Sequence, residues 1–267
     1  MPPRSAPDDS GAISLSTVAL APGDPGIADA RCRHSASAPL KTGREGSPYS
    51  RWLKPGPYFT EATYTDRASK TRYIAEKYAP LFAEGRRVLD VGCDRKQLRA
   101  MLTRAVEYVG IDLNPHADRI VDLDREPLPF ADDSFETVVC CDVLEHLARC
   151  HEVFDELCRV SRDRVIVSLP NAVQDVVASL LSGQGGRVKH YGLSVEPPSD
   201  RHRWFFGFED AAEFLTRRAE RHGFEVEQID AGGLSRAYWL VGQPPRDVLD
   251  HPNIRLGTCW CVIRKSA

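Results

Sequence analysis

The sequence predicts an α/β fold, a mostly parallel sheet of seven strands with helices on both faces. Two observations predict it. From Arg87 onward short apolar runs alternate with segments of helical period, the pattern of parallel strands joined by covering helices. Several of those runs end in a glycine or an acidic residue, at the carboxyl edge where such sheets bind ligands.

The elements follow in chain order. Residues 1–55 are rich in Pro, Gly, Ser, Ala and Asp without a sustained apolar period, so a disordered tail is expected there. Order is expected from near Tyr58, in one domain over residues 56–267. Tyr64, Ala68, Tyr73, Ile74, Tyr78 and Phe82 predict a helix within residues 61–82, after a Thr60 cap. Strands are expected at 88–91, 108–111, 119–121, 135–141, 165–169, 224–229 and 259–263. Helices are expected at 97–102, at 152–160 (Val153, Phe154 and Leu157 on one face) and at 211–222, the last stopped by Gly223. Residues 171–208 and 232–256 exceed ordinary strand-to-helix links and read as insertions.

Composition narrows the function classes. A net charge of −3 and a pI near 6.3 give no basic surplus for a nucleic-acid backbone. Eight cysteines include no C-x-x-C pair, which argues against a zinc ribbon or a thioredoxin-like site. Most lie in apolar or helical segments and point to a reducing compartment. No apolar run reaches the roughly 20 residues needed to span a bilayer, and no secretory signal is visible. A soluble, cytoplasmic protein is expected.

The strand ends carry the chemistry. The first strand leads into Asp90-Val91-Gly92-Cys93-Asp94-Arg95-Lys96, and the second ends in Gly110-Ile111-Asp112-Leu113-Asn114. Val121-Asp122-Leu123-Asp124 follows the third, then Leu128-Pro129-Phe130-Ala131-Asp132-Asp133-Ser134-Phe135; the fourth runs into Cys141-Asp142-Val143-Leu144-Glu145-His146. A glycine under a ligand removes the Cβ that would block a tight turn. A strand-end carboxylate can accept from both hydroxyls of a ribose. A dinucleotide-binding dehydrogenase would share these two features but also show G-x-G-x-x-G, which is absent.

Taken in order, these runs resemble the class I S-adenosylmethionine-dependent methyltransferases, in particular the subgroup with an LPF-x-D-x-SF run and an LEH turn. The resemblance covers about residue 58 to the end and implies a Rossmann-like fold, S-adenosyl-L-methionine as cofactor and methyl transfer. It implies that Asp112 and Leu113 hold the ribose side, with Gly92 beneath the cofactor. Asp122 with the Leu123 amide would meet the adenine, Asp124 being the alternative register. Asp90 and Asp142 would serve the methionine end. The chain departs from the family's G-x-G-x-G loop, having Asp94 and Lys96 at the later glycine positions. Lys96 would either swing outward or meet the cofactor carboxylate, and a loop unable to bind cofactor would leave a pseudoenzyme.

For a hydroxyl acceptor, His146 and His202 are the candidate catalytic bases. O-Methylation of a polar small molecule or a surface-glycan intermediate is the expected reaction, with nucleic acid disfavoured. Cations and aromatics in residues 171–208, among them Arg201, Arg203 and Trp204, suit such a partner. The alternative is a metal-assisted RNA 2′-O-methyltransferase. If Asp142 to His146 turned helically, Asp142, Glu145 and His146 would share a face and hold a divalent ion with His202. That set resembles the metal-using O-methyltransferases of ubiquinone biosynthesis and small-RNA 3′-end methylation.

Overall fold

The computed structural model describes residues 52, 56–183, 185–186, 188, 190–198, 200–232 and 251–267. The chain divides into Met1–Ala38 and Pro39–Ala267, the first wholly outside the described residues. The expected tail (apart from Trp52), Cys32, Lys189 and most of the second insertion therefore also lie outside them.

Seven strands form one sheet: β1 (Arg87–Val91), β2 (Glu107–Asp112), β3 (Arg119–Ile120), β4 (Phe135–Cys141), β5 (Ser161–Leu169), β6 (Phe224–Ala231) and β7 (Cys259–Lys265), in the order β3-β2-β1-β4-β5-β7-β6. All neighbouring pairs are parallel except those made by β7, which runs antiparallel to both β5 and β6. The order reverses between β1 and β4, so their carboxyl ends diverge and open a crevice.

Alternating side chains build two cores. Val138, Cys140, Val165, Val167 and Cys261 pack against Phe154 and Leu157 of α3 (Cys150–Val160) and Leu215 of α5 (Phe208–Arg221). The intervening Val139, Ile166, Trp260 and Val262 face Tyr73 and Ile74 of α1 (Arg67–Lys77) and Leu98 of α2 (Gln97–Met101). A strand's two-residue period sends neighbours to opposite faces, so these buried runs are apolar throughout, as strands covered on both sides must be.

Two expectations need correction. The first helix begins at Arg67, not after Thr60. Asp66 caps it, accepting from the Ser69 amide at 2.7 Å, while the Ser69 hydroxyl accepts from the Asp66 amide at 3.1 Å. This reciprocal capping box fixes the start, while Thr60 accepts only from the Ala62 amide, at 3.1 Å. The segment after β5 is not irregular throughout, because α4 (Ala172–Leu181) occupies its first part. Asn171 caps α4 by accepting from the Gln174 amide, and its own amide donates to the Asn253 and Leu256 carbonyls. It thus ties α4 to α6 (Pro252–Arg255). The seven described cysteines are free. Among the described residues no helix is long and apolar enough to cross a membrane.

Candidate functional site

At the carboxyl ends of β1 and β4, Asp90, Gly92, Asp94 and Asp142 line a cavity together with Arg67 and Lys70 of α1. The Gly92 and Cys93 amides both donate to the Ile111 carbonyl, at 2.9 and 3.1 Å, which draws the loop against β2. Gly92 has φ +77°, and a Cβ there would lie 2.3 Å from Cγ2 of Val143. Only glycine satisfies both constraints.

Asp112 ends β2 and accepts from the Asp94 amide (2.8 Å) and the Asn114 amide (2.9 Å). A carboxylate has about four lone-pair sites, so acceptor capacity is left for two hydroxyls. Leu113 beside it is 66% exposed, an apolar side chain at the carboxyl end of β2. Asp90 lies one layer deeper, accepting from the Tyr108 hydroxyl at 2.6 Å. Burial, with the charge of Asp112, pushes its carboxyl up to about 6 although the Tyr108 bond opposes this.

Asp94 and Lys96 resolve the loop's departure from three glycines. Both adopt positive φ, 47° and 56°. The Asp94 carboxylate pairs with Arg67 at 2.7 Å and accepts from the Asn114 side chain at 3.0 Å. Lys96 turns outward to Asp118 at 2.7 Å, away from the cavity.

Beyond β3, Asp122 spends its carboxylate on a local turn, accepting from the Asp124 amide at 3.1 Å and pairing with Arg125 at 3.2 Å. The Leu123 side chain enters the core. Asp124 instead accepts from the Arg149 amide at the start of α3, at 3.2 Å.

Past β4 the chain does not run helically from Asp142 to His146. Asp142 is left-handed (φ 54°), and the 3-10 turn covers only Leu144–His146. The Asp142 carboxylate is drawn instead to the Ser168 hydroxyl (2.8 Å) and to Lys70. It therefore does not join Glu145 and His146 on one face, and the four-ligand set expected from spacing loses that member. The remaining three do converge: ligand atoms of Glu145, His146 and His202 lie within 4.8 Å of one another.

Residues 201–204 are zipped onto this turn. The Arg203 amide donates to the Glu145 carbonyl (2.8 Å), and the Trp204 indole to the Leu147 carbonyl (2.7 Å). His146 and His202 consequently stand with ring centroids 4.6 Å apart, and His190 stacks on His202 at 4.4 Å. Nδ1 of His146 meets the Arg201 carbonyl (3.2 Å) and Asp200 (2.9 Å). Both are acceptors, so Nδ1 carries a proton, and in the neutral ring Nε2 then keeps its lone pair. Tyr191 donates to the Trp204 carbonyl (3.1 Å) and accepts from Nδ1 of His202 (2.9 Å), an arrangement that satisfies both contacts and likewise leaves Nε2 bare. Burial pushes His202 down to about 4, helped by the two neighbouring imidazoles.

Glu145 is 1% exposed, and among the described residues neither carboxylate oxygen has a hydrogen-bond partner, Nε2 of His146 standing 3.9 Å from Oε1. Burial, then the charge of Asp142, drives its pKa well above the usual carboxylate range. Buried polar groups are almost always paired, so an orphaned carboxylate beside two bare imidazole nitrogens marks a place where positive charge is missing.

The sequence reading missed the contribution of α1. Arg67 and Lys70 sit three residues apart on one helical face, a spacing visible in the sequence but indistinguishable there from a solvated stripe.

The family model described as a methyltransferase domain matches residues 64–229. Among solved structures, a SAM-dependent methyltransferase from Archaeoglobus fulgidus is 16% identical over 75% of this chain and 95% of its own, with a TM-score of 0.51. Magnesium protoporphyrin IX methyltransferase from Synechocystis PCC 6803 with bound SAH is 16% identical, covering 76% of this chain and 89% of its own, at a TM-score of 0.46. The cyclase SpnF is 17% identical, covering 75% and 82%, at 0.48. No curated protein matches the chain. With a family match over more than half its length and a sheet of this order, the chain belongs to the methyltransferase domain family and is a Rossmann-like, S-adenosylmethionine-dependent methyltransferase.

Proposed function

We propose that this methyltransferase acts on a hydroxyl oxygen of a polar small molecule or surface-glycan intermediate, with His146 receiving the acceptor proton. The observation that carries the reading is the Asp200–His146 pair. A carboxylate on Nδ1 fixes the tautomer and leaves Nε2 as a base. His146 follows the same strand end as Asp142, which lines the cavity.

The cofactor supplies an electrophilic methyl group on a positively charged sulfur, so the chain's residues need only align and deprotonate the acceptor. Asp112, beside Leu113, holds the ribose over Gly92. Asp122 or Asp124, with the Leu123 amide, meets the adenine, while the Leu123 side chain is turned into the core. Asp90 and Asp142 serve the amino-acid end. Arg203 and Trp204, the latter 38% exposed, offer a cation and a ring edge to a polar acceptor.

Labelled donor incubated with a cell extract's polar small-molecule fraction tests the acceptor atom. Label in an ether linkage supports the reading, and label on nitrogen or carbon overturns it. His146→Gln should lower kcat by roughly 100- to 10,000-fold with donor affinity unchanged.

A second reading is favoured by Glu145. A divalent cation held by Glu145, His146 and His202 would supply the missing positive charge, and its Lewis acidity would replace the base. The residues fit such an ion: an unpartnered carboxylate and two imidazoles whose other nitrogens are already bonded. Calorimetry with Mn²⁺ or Zn²⁺ on protein stripped by chelation decides between the two. Saturable binding lost in Glu145→Gln supports the cation, and absence of binding leaves His146 as the base. An RNA acceptor, the other half of the metal-assisted alternative, gains nothing from the net charge of −3.

A further inference from the structure

Nine large apolar side chains stand exposed among the described residues, and five of them fall within residues 180–205: Leu180, Leu193, Val195, Trp204 and Phe205. Scattered apolar residues on a surface need no explanation, but a concentration of them marks a place of contact. Leu193 and Val195 are wholly exposed, two residues apart on one loop. Phe205, 60% exposed, packs edge-on against Tyr191 with ring centroids 5.4 Å apart, and Tyr191 precedes Leu193 by two residues. Arg203 and Trp204, zipped to the turn at 144–147, join this surface to the acceptor site.

Charge sets this segment apart from the rest of the chain. Residues 187–203 hold four cations (Arg187, Lys189, Arg201 and Arg203) against two acids (Glu196 and Asp200), although the whole chain carries −3. Asp200 is already turned to His146 and His190. Arg201 is exposed and makes no ion pair among the described residues. A second copy of the chain would bring the same cations together at this surface, an unfavourable match. An anionic bilayer complements both features at once. Its acyl boundary takes aliphatic tips, its headgroup level suits aromatic rings, and its phosphates attract the cations.

We propose that the loop around Leu193 and Val195, with Phe205 and Arg201, docks the enzyme on an anionic lipid surface. Pro197 and Pro198 follow the two aliphatic tips and restrict the backbone, so the loop loses less freedom on docking. The contact brings the acceptor site beside the bilayer. It adds to the proposed reaction without depending on which atom is methylated.

Cosedimentation of the full chain with lipid vesicles tests it. Binding to vesicles of mixed phosphatidylcholine and phosphatidylglycerol should exceed binding to phosphatidylcholine alone by about tenfold or more, the combined pull of a few cations near the surface. Added salt should remove most of that difference. Leu193→Asp combined with Val195→Asp should weaken binding to the mixed vesicles by about 30-fold or more, and Arg201→Ser by about fivefold. Phe59→Asp changes an equally exposed apolar position outside the segment, 63% exposed, and should bind within about twofold of wild type. Failure of the wild type to bind mixed vesicles, equal binding to both kinds of vesicle, or a double variant as tight as wild type would overturn the proposal. So would a wild-type dimer, seen by light scattering, that the double variant turns into a monomer, because the surface would then join two copies. Should the double variant fail to fold by circular dichroism, the lipid and salt dependence of the wild type still decides.

Discussion

The two ends of the site differ in how their charges are satisfied. At the cofactor end every carboxylate has a partner: Asp112 holds two loop amides, Asp94 holds Arg67 and Asn114, and Asp142 holds Ser168 and Lys70. Around the neighbouring turn Glu145 is more deeply buried than any of them and, among the described residues, has no hydrogen-bond partner, only Nε2 of His146 at 3.9 Å. The first end is organised before its ligand arrives, so binding there costs little rearrangement. The second end carries a deficit that a cation, a proton or an acceptor's hydroxyl would relieve. On the proposed assignment, the contrast separates a donor site whose carboxylates are already paired from an acceptor site that is completed by what it binds.

The sharpest way to break this comparison is at Asp112. Removing its carboxylate releases two loop amides together with the two ribose contacts proposed for it. Hydrogen bonds to a charged group contribute about 1.5–3 kcal/mol each, so Asp112→Ala should lower donor affinity by about 100-fold or more. Calorimetry measures it, and unchanged affinity would remove the donor site from this end of the sheet.

The acceptor end is tested next by stability, where the sign is informative. Glu145 has a folded-state pKa raised by burial. It therefore costs nothing below its unfolded pKa, and its penalty grows as pH rises through the interval up to the folded value. In chelated protein at pH 8, Glu145→Gln should stabilise by about 1–3 kcal/mol, the cost of an unsatisfied buried group. That corresponds to a Tm gain of several degrees, about 2–4 °C per kcal/mol for a domain of this size. The gain should vanish below about pH 4, an approximate limit set by carboxyl pKa values. If Glu145 holds a cation, adding Mn²⁺ reverses the sign by stabilising wild type alone. A Gln variant less stable than chelated wild type at pH 8 would mean that Glu145 has a partner after all.

The same contrast explains what the sequence made legible. Strand-end chemistry was readable because each glycine or carboxylate follows its apolar run directly, as Asp112 follows Ile111. Contacts between distant segments were not. Lys70 meets Asp142 across 72 residues, and nothing in the α1 pattern separates a cavity-facing cation from a solvated one. α4 was hidden because residues 172–181 place Val173, Val176 and Val177 in a short apolar stretch, and β-branched residues favour strands as readily as helices. The pairing of His146 with His202 followed from the loop's position after β5, but the left-handed turn at Asp142 that removes it from their company did not. A single positive φ redirects every side chain after it, and Asp tolerates that conformation without announcing it.

The smallest effect is expected where the donor end is itself under mild strain. Asp90 lies in the cavity wall with its carboxyl pushed up to about 6 by burial. If its ionised form meets the donor's ammonium, protonation below that value removes the attraction. The apparent dissociation constant then scales as one plus the ratio of protonated to ionised Asp90, which gives about a fourfold weakening between pH 7.5 and 5.5. The charge of Asp112 acts on Asp90, so the control is Asp90→Asn, whose affinity should be lower at pH 7.5 and flat across that interval. A wild-type profile equally flat would place the ammonium on Asp142 instead. The donor end would then have two carboxylates with separate duties, Asp90 accepting from Tyr108, and Asp142 alone dividing its charge between Lys70 and the ligand.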